Sequence, residues 1–416
     1  MTRPARVRWR DIWSALAVIF LAEFAHGGLL LALLPQFGEE VLKIGLAVVG
    51  LCISLYYATE LTLKVPAGMA ADRLGHKALL VASLACSGLT LAIVSLMRHP
   101  VALAAAICLH GAAASAIWPS ALAFITGRVP PEDRGAAMGA VFTCWLSGLG
   151  LGILTCIVLR SQPVALRFWV LGAAWAAALA VAVFLVPRGA PPQRPEERLP
   201  HQSPIRLAWE VTRRLSRRPV LVLGLFAQTF SLGMLAPVLE RYCTVCRSLS
   251  EWQVSALMIG GGGLAVALMI PMGRVADRFG KRRLLIAGLL TGGAAILLFP
   301  FIVPLPALVA LVGVAGAAYA VVLPAWNAVL LRHVPTDKRA LMLASFMALE
   351  QCGMAMGPTA SGLLWENVGW SAPFLTSGSL VLIVAVAYAL SPSVFRGDAE
   401  VAPAVSERAP GEETTP

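Results

Sequence analysis

The stretch "GMAADRLGHK", Gly68 to Lys77, returns as "GRVADRFGKRR", Gly273 to Arg283, each time between two apolar runs. The shift between the copies is 205 residues, and the same shift works far from them. It carries Pro66 onto Pro271, Pro119 onto Pro324, Val129 and Pro130 onto Val334 and Pro335, and Gly148 and Gly152 onto Gly353 and Gly357. One constant offset across so many positions means that a whole unit is duplicated, not a short motif.

The composition says what kind of unit. With 58% hydrophobic and 13% charged residues among 416, the chain is too apolar for a soluble globular protein. A helix crossing a hydrocarbon core needs about 20 mostly apolar residues. Twelve such runs are expected, near 12–34, 44–66, 78–97, 101–127, 139–159, 164–187, 219–240, 253–272, 284–303, 306–331, 341–364 and 371–391. The runs are continuous and rich in Ala, Leu and Gly, which excludes a barrel. The expected fold is therefore an all-α membrane protein, with twelve transmembrane helices in two six-helix pseudo-symmetric bundles.

The expected organisation is a cytoplasmic tail (1–11), an N-terminal bundle (12–187), a linker (188–218), a C-terminal bundle (219–391) and a disordered tail (392–416). The linker is rich in Pro and Arg and cannot cross a bilayer. The side holding both tails and the linker collects 26 of the 33 Lys and Arg; the other side holds 6, and Lys64 lies within a span. This bias places both termini in the cytoplasm of a multi-pass cell-membrane protein. It also accounts for the net charge of +11, so nucleic acid is not an expected partner. The first span is read as retained rather than as a cleaved signal. Six of the eight cysteines fall inside spans; Cys243 and Cys246 form one isolated CxxC, read as structural with a disulfide left open.

Two six-helix halves around a polar linker are the form of a secondary transporter whose site lies near the midplane. Gly68, Asp72, Arg73, Gly75 and Lys77, with Gly273, Asp277, Arg278, Gly280 and Arg282, resemble the signature that the major facilitator superfamily carries after its second and eighth helices. His76 stands where arginine is usual. Gly68 is expected to let helices approach and Gly75 to supply the turn. The resemblance implies that these loops are gates that hold the cytoplasmic side closed when the cavity faces outward.

What the chain carries is argued from polar groups inside the spans. A charge at mid-bilayer costs about 2.5 to 3.5 kcal/mol on insertion scales, so an acid there is a functional candidate. Glu23 lies halfway along the first span with His26 one turn later, and Glu60 lies in the second span with Lys64 one turn later. Gln228 is the repeat equivalent of Glu23, and Glu350 lies in the eleventh span. A structural pair of Glu60 with Lys64 is the alternative reading.

The strings "FLAEFAHGG" (20–28), "IWPS" (117–120), "PEDRGAAMGAVFTCWLSGLGLG" (131–152) and "LPAWNAVL" (323–330) are similar to a narrower family, proton-coupled flippases of a glycolipid. That resemblance implies proton coupling by Glu23, Glu60 and His26. It implies a substrate pocket of Glu23, His26, Trp118 and Trp145, with Trp326 and Asn327 on the other side. His26 replaces an arginine of that family, and imidazole, unlike guanidinium, can be neutral at pH 7. Expected partners are a lipid or amphipathic small molecule and the membrane itself. No cofactor is expected beyond the proton gradient, and the chain is expected to act as a monomer. Efflux of drug-like amphiphiles is the alternative transport reading. An enzyme is not expected, because no metal motif, nucleotide loop or nucleophile with its base is present.

Overall fold

The structure is a computed structural model that describes residues 9–130, 133–187, 219–332 and 339–391. The expected linker, the C-terminal tail and all but the end of the N-terminal tail lie outside the described residues. The described residues form twelve helical rods. α1 runs from Trp9–Gly27 through two π-turns, Gly28–Leu33 and Gly38–Leu42. α2 is Leu46–Leu74, α3 His76–Leu96, α4 Pro100–Thr126 with a turn at 115–116, α5 Arg134–Val158 and α6 Val164–Phe184. In the second half, α7 is Pro219–Leu235, bent by 42° into Leu239–Cys246. α8 joins Glu251–Met258 to Leu264–Phe279 through a π-turn at Ile259–Gly263. α9 is Lys281–Leu298, α10 Leu305–Arg332, α11 Arg339–Asn367 and α12 Ala372–Leu390.

By length and composition, ten of these helices can cross a membrane, and the bent α7 makes an eleventh. α11 falls outside that test. Its polar side chains, Gln351 and Glu366 among them, are spent on contacts with α2. α1 is longer than expected for a related reason. Gln36, Glu39 and Glu40 look like a loop in the sequence, yet Arg160 and Arg167 bind them and the helix continues to Leu42.

The backbone specials repeat with the sequence. Gly75 and Gly280, which end α2 and α8, both have φ of 90°. L side chains rarely adopt that angle, so these are true glycine turns. Gly68 behaves otherwise: among the described residues, a Cβ there would meet nothing within 4 Å. All eight cysteines are free, with Cys243 buried and Cys246 exposed.

We call inner the side on which the Gly75 and Gly280 turns lie, and outer the opposite side. The two halves meet along α2 with α11 and along α5 with α8. Among the described residues, one apolar core runs through the N-terminal half and continues into Val238, Tyr242, Val254, Leu257, Phe299, Leu308 and Phe374 of the second half. These lie toward the outer ends of their helices. The core of Leu221, Leu225, Leu285, Trp326, Phe346 and Tyr388 is separate, and its members lie toward the inner ends. Among the described residues, the halves thus share a core on the outer side.

A polar seam covers the same side. Glu240 accepts hydrogen bonds from Gln36 at 2.8 Å and from Arg160 at 2.6 Å. Glu39 pairs with Arg160 at 3.6 Å and with Arg241 at 3.5 Å. Buried Arg167 donates to Gln36 and to Glu40.

Candidate functional site

Pro119 has no N–H to offer the carbonyl of Ser115, and α4 turns at Ser115 and Ala116. The restarted helix presents Trp118, whose indole donates to Glu23 at 2.6 Å. Glu23 is buried on α1, with only 5% of its surface exposed. α5 closes against the same turn of α1. A Cβ on Gly148 would lie 3.3 Å from the Cβ of Glu23, and one on Gly152 would run into the carbonyl oxygen of Phe24. Trp145, one turn before Gly148, is partly buried against the core and edge-on to Phe142 at 6.5 Å. Of the two pocket tryptophans, Trp118 is the one that hydrogen-bonds Glu23.

His26 follows Glu23 by one turn but turns to other neighbours. Its ring meets Tyr56 edge-on at 4.6 Å and lies 6.5 Å from Tyr57 and 6.3 Å from His110. His110 contacts the Thr90 hydroxyl at 2.8 Å and packs on Trp175. Among the described residues, the Nε2 atoms of His26 and His110 are buried without a hydrogen-bond partner. No alternation or motif marked this aromatic group, whose members come from three different apolar runs: His26 from the first, Tyr56 and Tyr57 from the second and His110 from the fourth.

Glu60 joins the two halves. It pairs with Lys64 at 3.0 Å, and Gln351 of α11 donates to its other oxygen at 2.6 Å. Gln351 in turn accepts from Lys64 at 2.5 Å. The local pair is as the alternative reading had it, but its third member comes from 287 residues away along the chain. Nothing in the sequence singles Gln351 out.

In the second half, Gln228 bonds back to Gly224 of its own helix at 3.2 Å. Trp326 is buried and stacked on Tyr388 at 5.6 Å. The side chain of Asn327 lies outside the described residues.

The repeated loops show a matched pair. Lys77 donates to the carbonyls of Val183 and Val186 at 2.8 and 2.5 Å, and Arg282 to that of Ala389 at 2.7 Å. These two residues are equivalent under the repeat. Each places a cation at the carbonyl end of the sixth helix in its own half, where the helix dipole favours it. Arg73 is exposed on the inner surface. The side chains of Asp72, Gly273, Asp277 and Arg278 lie outside the described residues. Among the described residues, no group of three or more His, Cys, Asp or Glu is arranged to hold a metal ion.

Comparison with known proteins adds to this geometry. The sequence profile of the Major Facilitator Superfamily matches residues 12–269 and 221–412. A curated relative from Staphylococcus saprophyticus, named proton-coupled antiporter flippase LtaA, is 27% identical over 395 residues, covering 90% of this chain and 92% of that protein. The protein of the same name from Staphylococcus aureus strain USA300 is 25% identical over 389 residues, with coverage of 90% and 92%. The fold is shared with the solved nucleoside transporter NupG, at a TM-score of 0.69 and 14% identity over 91% of this chain and 98% of that one. It is shared too with the human organic anion transporter MFSD10, at 0.67 and 19% over 93% and 100%.

Proposed function

The chain belongs to the major facilitator superfamily, and from that premise we propose that it exchanges protons for an amphipathic lipid, a glycolipid by preference, by alternating access. The observation that carries this reading is the Glu23 carboxylate, buried inside a membrane span and held by the Trp118 indole. A charge in that position is expensive, and it persists where it serves an ion pathway. The curated relatives named proton-coupled antiporter flippases support the same reading. Trp118 offers an aromatic face for a sugar or an apolar ring. Glu60, in the seam between the halves, is the second proton carrier, and His26 modulates the pocket from its aromatic group. The shared outer core fits one end of the cycle, in which the cavity faces the inner side.

The test uses proteoliposomes with a labelled glycosyl-diacylglycerol, a cationic dye as competing cargo, and an imposed pH gradient. Glu23→Gln and Glu60→Gln should each abolish gradient-driven lipid movement while leaving gradient-free equilibration, and His26→Ala should weaken it. If both glutamine variants stay fully gradient-driven, the carboxylates are not the coupling groups. If the dye moves and the lipid does not, the cargo is a drug-like amphiphile.

A further inference from the structure

Both oxygens of Glu60 are engaged, one by the Lys64 ammonium at 3.0 Å and one by the Gln351 amide at 2.6 Å, while the Gln351 carbonyl accepts from Lys64 at 2.5 Å. This is a closed ring of three side chains. Glutamine suits it because one amide offers a donor and an acceptor, and so faces a carboxylate and an ammonium together. A carboxylate at 351 would oppose Glu60, and an apolar side chain would leave both charges short of a partner.

The ring also restricts where a proton can go. A proton on Oε2 would set donor against the Gln351 amide, and a proton on Oε1 would set it against Lys64. Protonating Glu60 therefore breaks at least one side of the ring. That matters because α2 and α11 belong to different halves. Toward the outer end they are held by close approach: the Ala47 amide donates to Glu366 at 3.0 Å, the Ser54 and Thr359 hydroxyls meet at 2.8 Å, and a Cβ on Gly362 would lie 2.5 Å from Ala47. Glu60 lies 13 residues along α2 from Ala47, about 20 Å toward the inner side. Among the described residues, the ring is the innermost polar contact between these two helices.

We propose that Gln351 is a positioning residue through which the C-terminal half senses the charge of Glu60, so that protonation releases the inner end of the α2 and α11 seam. This rests on the proton-coupling reading of Glu60 given above. Among the described residues, Tyr56 and Tyr57 on its own helix and Glu23 on α1 are the other titratable groups close enough to feel the charge of Glu60. Lys64 likewise faces His26 of α1. On α11 the neighbouring acid is Glu350.

The experiment places spin labels at Leu74→Cys and Arg283→Cys, two exposed positions at the inner ends of α2 and α9, in the otherwise cysteine-free full chain in liposomes. Distance distributions are recorded from pH 5 to pH 8. The unmodified ring should give two populations whose ratio changes with pH. In Glu60→Gln and in Gln351→Leu the ratio should change by less than about twofold over that range, and Gln351→Asn, which keeps the amide, should restore part of the response. A Gln351→Leu protein that follows pH as the unmodified ring does, beside a Glu60→Gln protein that does not, overturns the role of Gln351 and leaves Glu60 as the proton carrier. A Glu60→Gln protein that keeps the full response and also stays gradient-driven removes the coupling reading itself.

Discussion

Trp118 has one hydrogen to donate, and Glu23 receives it. The pair is small enough to be tested by removing that hydrogen alone. Trp118→Phe keeps an aromatic ring in the pocket and leaves the buried carboxylate without its indole. Hydrogen bonds to charged groups contribute about 1.5 to 3 kcal/mol. The variant should therefore lower the thermal unfolding midpoint in detergent and lose most of its gradient-driven transport. Transport at the original rate would mean that the indole packs against Glu23 without serving it. The acids of the site, and both tryptophans, are legible in the sequence because an acid or an indole in an apolar run is conspicuous. Gln351 is not legible, because a lone glutamine beside a glutamate carries no pattern. Its meaning comes from a helix 287 residues away.

At the scale of helices, glycines divide into two mechanical classes. Gly152 on α5 lies against the Phe24 carbonyl of α1, inside one half, whereas Gly50 on α2 lies against the Pro358 carbonyl of α11, across the halves. Overpacking of a close contact typically costs about 1 to 3 kcal/mol. Gly152→Val should disturb the N-terminal half in every state, lowering the thermal midpoint and displacing Glu23 from Trp118. Gly50→Val should leave each half intact and disfavour only the arrangement in which the outer side is closed. Thiol labelling of an outer-facing cysteine separates the two: it should speed up in Gly50→Val and stay unchanged in Gly152→Val. Equal effects of both substitutions would show that the α2 and α11 seam does not open during the cycle. The sequence marks all these glycines alike, as small residues that permit close packing. Which packing crosses the halves is decided by their placement.

For the molecule as a whole, the outer seam has a centre. Glu240 comes from the second half, and its partners Gln36 and Arg160 come from the first. Removing one member of a buried, bonded charge pair is destabilising by about 3 to 5 kcal/mol, because the other charge is left behind. Glu240→Ala should therefore shift the population toward an open outer side, with Arg160 freed to water. Labelling of the Cys243 thiol, buried in this arrangement, is a direct readout, and unchanged labelling there would mean that the apolar core alone keeps the outer side shut. The charge bias makes a further prediction about orientation. A reporter fused at Arg198 should be active only if it reads the cytoplasm, and activity of a periplasm-type reporter at that position would reverse the assignment of sides.

The sequence by itself determined the class, the duplication, the two glycine turns and the acids worth testing. Each of these is written locally, as hydrophobic length, a constant offset, or a charge where lipid should be. The tertiary structure decided the rest. It set the Trp118 indole on Glu23, turned His26 toward Tyr56, lengthened α1 to carry Glu39 and Glu40, and set Gln351 between Glu60 and Lys64. Those outcomes depend on which helices face one another. An apolar helix can pack on any of its sides, so the facing is fixed only when neighbouring helices compete for the same polar partners.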